Sequence, residues 1–296
     1  MLSSFVGMVG IGAMGRPIAR RIAERYPLNI YSRHEDIREE MRLLGALPAH
    51  SISDLAKSSS LIYLCVRDYA QCDQVTRELL GEGFQGSVVL LSTVGADEAR
   101  RLSLLCSKAG CSLLALPISG GVDGAESGDL TGYFAGNSPL RREALAVADC
   151  FCKTVFDLGA DVAVPFALKA VIQFLVASSM MATSEAASMI NRLGLNEEVC
   201  YNAICSSSGA SNIFVRRGKE AMRHNFSTGR SGVGIHLKDL RLCTEMLGDA
   251  ADRYPLLDLC LNRFAESDKL FDSKLDATVM TLLSDGDYVV EAGKQS

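Results

Sequence analysis

The chain has 296 residues, of which 48% are hydrophobic and 22% are charged, and it contains no tryptophan. At about 150 residues per domain, this length predicts two domains that each bury a core, which excludes a disordered or fibrous protein. With 30 basic and 35 acidic residues the formal net charge is -5. That balance argues against a broad phosphate-binding face, so we expect no nucleic-acid partner.

The cysteine spacing and the apolar runs predict the cellular location of the chain and whether it binds a metal or a membrane. The ten cysteines are scattered, without a CxxC pair or a histidine at metal-ligand spacing, which predicts buried, reduced thiols and no metal site. Residues 1–5 carry no basic segment ahead of an apolar run, so we expect a cytoplasmic chain without a signal peptide. The most apolar stretch, 162–190, is interrupted by Lys169 and Gln173. It therefore predicts a buried helix and no membrane association.

The first motif lies between two short apolar runs at residues 5–9 and 28–31. It reads Gly10-Ile11-Gly12-Ala13-Met14-Gly15 and precedes apolar residues at helical spacing. This order predicts strand, glycine turn, helix and strand, the βαβ unit in which GxGxxG binds a dinucleotide. Gly10 would allow the tight turn, Gly12 the approach of a pyrophosphate, and Gly15 the packing of helix on strand. A purely structural glycine turn is the alternative.

The residues after the second run bear on the choice of nicotinamide cofactor. An acidic residue there would bind the ribose of NAD and repel a 2′-phosphate, but the chain has Ser32 and Arg33. Arg33 can pair with a phosphate through its planar guanidinium, so we expect NADP to be preferred over NAD. Two alternatives stay open, because Arg33 can be a solvated loop residue and Glu35 or Asp36 can reach the ribose.

Three further apolar runs, 61–66, 87–92 and 112–116, predict strands, each preceded by a stretch compatible with a helix. Near-continuous apolar strands are typical of a parallel sheet covered on both faces. Residues 1–161 therefore predict a Rossmann-like doubly wound parallel α/β domain, whose ligand binds at the carboxyl ends of the strands, near Thr93. From residue 162 onward helical spacing continues, which predicts an all-helical second domain, 162–296.

Two features beyond these strands are candidates for chemistry. The segment 117–128 contains four glycines and two serines, which favours a backbone that approaches a ligand and donates to a carboxylate; a flexible surface loop is the alternative. Lys169 and Gln173 are four residues apart, on one face of the first helix of the second domain. Helix pattern alone favours an end-of-helix charge for Lys169, whereas a position in a domain cleft would make it a proton-transfer group.

In this order the motifs resemble the β-hydroxyacid dehydrogenases, which include 3-hydroxyisobutyrate, tartronate semialdehyde and L-threonate dehydrogenases and relatives of 6-phosphogluconate dehydrogenase. The resemblance covers nearly the whole chain. It is carried by the GxGxxG motif with Met14 before the last glycine and by four later segments, which are Ser92-Thr93-Val94, Pro117-Ile118-Ser119-Gly120-Gly121, Lys169 and Lys238-Asp239-Leu240.

The resemblance implies a hydride transfer between the nicotinamide and a small 2- or 3-hydroxy acid or its oxo form. It implies that Lys169 is the general acid/base, that Ser119, Gly120 and Gly121 bind the substrate carboxylate, and that Lys238 lies by the cofactor. A dimer or tetramer is usual in the family. On helix pattern alone, Lys238 and Asp239 can equally be an ordinary surface pair.

Departures from the usual pattern favour one branch of the family. Gln173 stands where most relatives have asparagine, and it resembles the L-threonate dehydrogenase branch, as does the turn that ends at Ser211; we therefore place Gln173 in the catalytic group and Ser211 at the substrate. A glyoxylate or succinic semialdehyde reductase of the same family is an alternative. A catalytically silent dinucleotide-binding module is another, although the presence of Lys169 favours an enzyme.

Overall fold

The computed structural model describes residues 5–227 and 232–286. The chain divides into two compact units, Met1–Lys169 and Ala170–Ser296. The division falls inside one long helix, whereas the predicted boundary at 161/162 lies just ahead of that helix and stays a prediction.

The first unit is built on a parallel sheet. Its strands are β1 Phe5–Val9, β2 Leu28–Tyr31, β3 Leu47–Pro48, β4 Ser59–Leu64, β5 Ser87–Leu90 and β6 Ser112–Ala115. The helices between them are α1 Gly15–Ala23, α2 Glu35–Leu43, α3 Ile52–Ser58, α4 Tyr69–Gly81 and α5 Ala96–Lys108. The strand order is β3-β2-β1-β4-β5-β6, the doubly wound order whose direction reverses beside β1. The predicted fold class is confirmed.

The two central strands carry much of the core of this unit. In the parallel pairing of β1 with β4, Met8 stands beside Tyr63, and both side chains are fully buried. The Tyr63 hydroxyl donates to the Ala144 carbonyl oxygen at 2.7 Å, so its polar atom is satisfied inside the core. Because both faces of the sheet are covered, the strands are apolar along their length rather than alternating.

A smaller sheet follows, which the sequence patterns did not predict. Its strands are β7 Ile118–Ser119, β8 Leu130–Phe134 and β9 Cys152–Asp157, and two helices accompany them, α6 Gly121–Ser127 and α7 Arg141–Ala148. β7 is antiparallel to β8, and β8 is parallel to β9. The glycine-rich segment 117–128 is therefore a short strand and a short helix rather than a loop. Gly120 and Gly121, at φ +133° and +67°, make the sharp turn between them.

In the described part of the second unit, every regular element is helical, as predicted. The α-helices are α8 Val164–Arg192, which begins in the first unit, α9 Glu197–Cys205, α10 Asn212–Met222, α11 Val233–Leu247, α12 Pro255–Leu270 and α13 Met280–Asp285. Two 3-10 helices span Gly248–Arg253 and Ala277–Val279. Gly194, in the left-handed region at φ +63°, follows the end of α8, where the sequence predicted a glycine stop.

The helix α8 is unusual in its length and apolar character. It has 29 residues, and its most apolar stretch reaches a mean hydropathy of 1.6, so by length and composition it is able to cross a membrane. In that stretch 44% is buried within the structure. Core helices of globular proteins meet the same criteria, so this is weak evidence for a membrane span. Two apolar side chains on α8, Val171 and Leu175, are 53% and 57% exposed.

Candidate active site

The glycine turn connects β1 to α1. Gly10 has φ +93°, and a Cβ there would lie 2.1 Å from the Cys65 carbonyl oxygen. A Cβ at Gly15 would lie 1.9 Å from the Gly10 carbonyl oxygen, whereas one at Gly12 would meet no heavy atom within 4 Å. Gly10 and Gly15 therefore build the turn itself, and Gly12 leaves open space in which a ligand can approach the backbone.

The N-terminus of α1 follows this open space. Ala13 is exposed and Met14, half-buried, is the N-cap residue. No side chain caps this end, and the first turn contains no acidic residue. The N–H groups and the positive end of the helix dipole thus remain for a ligand, an arrangement that suits a phosphate. The residues present fit the pyrophosphate of a dinucleotide.

The residues after β2 form a second part of this region. Ser32 is buried, and its hydroxyl accepts from the His34 backbone N–H at 3.2 Å. Arg38 in α2 donates to the Ser32 carbonyl oxygen and pairs with Glu35. The Glu35 carboxylate is therefore held by a neighbouring arginine, while the guanidinium of Arg33 is exposed.

The strands β4 and β5 end side by side. The Ser92 hydroxyl accepts from the Val66 N–H at 2.8 Å, which joins the two segments just before the half-buried Thr93. At the same edge, burial raises the pKa of the Cys65 thiol to about 12, so this thiol is neutral at physiological pH and unsuited to nucleophilic chemistry. All ten cysteines are free thiols.

The predicted lysine and the predicted serine-glycine-glycine lie together in the first unit. Lys169, in the first turns of α8, is 5% exposed, and its Nζ donates to the Ser119 hydroxyl at 3.5 Å. Ser119 ends β7 and leads into Gly120 and Gly121. Lys169 is therefore not the solvent-exposed end-of-helix charge that the helix pattern alone favoured. A buried lysine beside a hydroxyl and a glycine turn is a candidate functional site.

One residue of this group was missed by the sequence analysis. Tyr133, in β8, is 7% exposed. Burial raises the pKa of Tyr133, and a side-chain hydrogen bond with Ser119 offsets part of that rise. The signal was the alternation along β8, in which Thr131 and Tyr133 share the face opposite to Gly132. This alternation did not identify Tyr133 as a site residue, because the strand β8 was not predicted.

A second polar group lies in the second unit. The Gln173 amide nitrogen donates to one carboxylate oxygen of Asp239, and Lys238 Nζ lies 3.5 Å from the other. Gln173 and Asp239 are 9% and 4% exposed. The pair of Lys238 with Asp239 is therefore anchored by a buried carboxylate and is not an ordinary surface pair. Asp239, which no motif singled out as a site residue, joins Gln173 to Lys238.

Ser211 has a role in the fold that accounts for a serine at this position. It is the N-cap residue of α10, and its hydroxyl accepts from the Phe214 backbone N–H at 3.0 Å. This is the usual capping interaction of serine. Within residues 5–227 and 232–286, no three histidine, cysteine or acidic side chains come together to hold a metal ion.

Comparisons with known proteins match both units. Residues 5–159 match the model of the NAD binding domain of 6-phosphogluconate dehydrogenase, and residues 166–283 match that of the NAD-binding region of NADP-dependent 3-hydroxyisobutyrate dehydrogenase. The chain is 26% identical over 264 residues to the uncharacterized oxidoreductase YfjR of Bacillus subtilis, over 88% of this chain and 92% of that one. It is 25% identical over 292 residues to L-threonate dehydrogenase of Pectobacterium atrosepticum, over 94% of each chain.

A solved structure supports the fold independently of close sequence similarity. Psf3 in complex with NADP+ and 2-OPP has a TM-score of 0.86 to this chain at 22% identity, over 94% of this chain and 99% of that one. The first family model alone spans more than half of the 296 residues, and the matched residues include the glycine turn described above. The chain belongs to the β-hydroxyacid dehydrogenase family and is an NAD(P)-dependent oxidoreductase.

Proposed function

We propose that the protein oxidises a small 2- or 3-hydroxy acid, or reduces the corresponding oxo acid, with Lys169 as general acid/base. The observation that carries this proposal is the contact of the buried Lys169 Nζ with the Ser119 hydroxyl, 3.5 Å away. A lysine held at that distance from a carboxylate-binding segment is placed to exchange the proton of a hydroxyl on the same small acid.

Ser119, Gly120 and Gly121 would bind the substrate carboxylate. A Cβ at Gly121 would meet no heavy atom within 4 Å, so its backbone borders open space. Both glycines have positive φ, a conformation that presents successive N–H groups to an anion. The Ser119 hydroxyl would add a third donor to the carboxylate.

The steps of the reaction are assigned to the nicotinamide and Lys169, and Gln173 and Lys238 support them. When bound, the nicotinamide supplies the redox chemistry. Lys169 takes the substrate hydroxyl proton as a neutral amine in oxidation and returns it as an ammonium in reduction. We assign Gln173 to the same catalytic group, held in orientation by its hydrogen bond to Asp239. Lys238, held by the same carboxylate, is assigned to the cofactor.

The cofactor proposed is NADP in preference to NAD. Arg33 is exposed directly after β2, and the nearest acidic alternative, Glu35, pairs with Arg38. An arginine at that place favours a 2′-phosphate, and the missing strand-end carboxylate removes the usual contact to the NAD ribose. The glycine turn and the uncapped start of α1 would hold the pyrophosphate of either cofactor.

For the substrate we propose a four-carbon sugar acid of the threonate type. Gln173 and the similarity to L-threonate dehydrogenase support this choice. A reductase of glyoxylate or succinic semialdehyde would use the same Lys169 and Ser119, so a substrate panel distinguishes it. A silent dinucleotide-binding module would bind the cofactor without turnover.

The proposed state is a homodimer or homotetramer. The supporting observation is that Val171 and Leu175, one turn apart on α8, expose more than half of their surface. Apolar neighbours on one helix face are typical of a surface that a second copy covers.

The experiment is a turnover screen with NADP and with NAD, against threonate, erythronate, 3-hydroxyisobutyrate, glycerate, glyoxylate and succinic semialdehyde. Lys169→Ala should lower kcat by about a hundredfold or more, since general acid–base groups contribute roughly 10²- to 10⁴-fold, and should leave cofactor affinity intact. Lys153→Ala, which removes a lysine whose side chain is 73% exposed, is the matched control. Wild-type turnover that survives Lys169→Ala would contradict the assignment, and cofactor binding without any turnover would favour the silent module.

A further inference from the structure

Arg21, near the end of α1, contacts the last turn of α6. Its Nη1 donates to the Glu126 carbonyl oxygen at 2.9 Å, and its Nε donates to the Cys150 carbonyl oxygen at 2.8 Å. Glu126 lies in the last turn of α6, and Cys150 lies between α7 and β9. The half-buried side chain of Arg21 therefore joins the helix that follows the glycine turn to two segments around the small sheet.

Gly128 leaves the space that this guanidinium occupies. It follows α6 directly, in the left-handed region at φ +77°. A Cβ at Gly128 would lie 2.2 Å from Arg21 Nη2 and 2.5 Å from Arg21 Cζ, which is far inside van der Waals contact. A side chain at position 128 would therefore displace the guanidinium from the Glu126 carbonyl oxygen.

The helix α6 is too short to hold its own position. It has seven residues, and an isolated helix of that length is unstable in water, so tertiary contacts determine where it lies. At its start, a Cβ at Gly120 would lie 2.9 Å from Leu130 Cδ2, which shows close packing on that side chain. At its end, Arg21 satisfies the Glu126 carbonyl, one of the last carbonyl groups of the helix, with a charge-assisted hydrogen bond.

We infer that Arg21 is a positioning residue that holds the segment Ser119-Gly120-Gly121 at a fixed distance from the glycine turn. This role rests on the proposed function, in which that segment binds the substrate carboxylate and the start of α1 binds the pyrophosphate. Gly15 begins α1 and Gly121 begins α6, so the Arg21 contact joins the two helices at the ends opposite to their binding segments. Hydride transfer depends on the distance between those segments, since a displacement of about 1 Å costs roughly a hundredfold in rate.

Hydrogen exchange tests the Arg21 contact without turnover. In Arg21→Ala, the backbone amides of residues 119–128 should exchange about tenfold faster or more, because local opening of α6 no longer breaks a hydrogen bond to a charged group. The amides of β5 should keep their rates. The matched control is Arg20→Ala, which removes the exposed neighbouring arginine of α1 and should leave both segments unchanged. Unchanged exchange of residues 119–128 in Arg21→Ala would overturn the inference.

Gly128→Ala tests the same contact from the side of α6. Its methyl group would displace the guanidinium, so the exchange of residues 119–128 should accelerate as in Arg21→Ala. Gly110→Ala is the matched control, because Gly110 has φ +76° and a Cβ there would meet no heavy atom within 4 Å. It carries the same backbone strain and should leave residues 119–128 unchanged. In the Arg21→Ala background, Gly128→Ala should add less than it does in the wild type, and fully additive effects would overturn the inference.

Steady-state kinetics with the acid that the wild type turns over tests the positioning role. In Arg21→Ala, kcat/KM for the acid should fall about ten- to a hundredfold. The Kd for NADPH should stay within about twofold, because the glycine turn at the other end of α1 is unchanged. An unchanged kcat/KM, or an equal loss of affinity for NADPH, would overturn the positioning role. Faster exchange of residues 119–128 in a protein without turnover on any acid would support the Arg21 contact and refute the proposed function alone.

Discussion

Gly12→Ala is the sharpest test of the dinucleotide site, because the structure separates its effect on binding from its effect on folding. The new methyl group would meet no heavy atom of the protein within 4 Å. Gly12 has no positive φ, so alanine fits its backbone conformation. The free energy of unfolding should therefore stay the same or rise by up to about 1 kcal/mol, since alanine reduces the entropy of the unfolded chain.

Cofactor binding should respond in the opposite way. If the pyrophosphate lies over Gly12, the methyl group occupies its space and displaces at least one charge-assisted hydrogen bond from the backbone, worth about 1.5–3 kcal/mol. The Kd for NADPH should rise by about ten- to a hundredfold. Gly15→Ala is the matched control, because its methyl would lie 1.9 Å from the Gly10 carbonyl oxygen. It should lose about 1–3 kcal/mol of stability or more through overpacking.

The assay pairs thermal unfolding without cofactor with a titration of NADPH fluorescence. We expect Gly12→Ala to keep its Tm and to lose affinity for NADPH, whereas Gly15→Ala should mainly lower Tm. An unchanged Kd in Gly12→Ala would mean that no ligand approaches this backbone. A large loss of Tm in Gly12→Ala would contradict the finding that the space beside Gly12 is open.

Two further predictions concern the exposed Arg33 and the exposed face of α8. Arg33→Ala should raise the KM for NADP about tenfold, the scale of one charge-assisted hydrogen bond, and should leave the KM for NAD nearly unchanged; equal effects in steady-state kinetics would contradict the NADP preference. Leu175→Glu should dissociate the proposed oligomer in light scattering without detergent, because a charge would be buried at the interface. Glu266→Gln, a change at a partly exposed position of α12, should not, and an unchanged mass in Leu175→Glu would remove α8 from the interface.

The parts of the fold predicted well are those decided by neighbouring residues. β1 and β2 have the bounds that the apolar runs indicated, because each run ends at a turn or a glycine motif and both are covered on two faces. α8 ends at Arg192, just before Gly194. In each case a local property, such as apolar continuity or a positive φ, sets the boundary.

The small sheet of β7, β8 and β9 could not be predicted in the same way. β7 has only two residues, and its strand character comes from pairing with β8, which follows it after α6. Glycines in the segment 117–128 indicated a loop because the pattern says nothing about a partner strand. Strand pairing of this kind is decided by tertiary contacts, which override local propensity.

In the candidate site, too, the features set by neighbouring residues were predicted, and those set by tertiary contacts were not. The tight turn at Gly10 and Gly15 was predicted from the sequence because neighbouring residues set that backbone, whereas the contact of Gly12 with a cofactor stays a prediction. Tyr133 is a diagonal neighbour of Ser119 only because β8 pairs with β7, and Asp239 contacts Gln173 only because α11 packs in the same unit as most of α8. No sequence spacing predicts that Tyr133 lies near Ser119 or that Asp239 contacts Gln173. Side chains that contact a predicted site residue from another element are therefore found only from the structure, even where a sequence motif already contains the predicted residue.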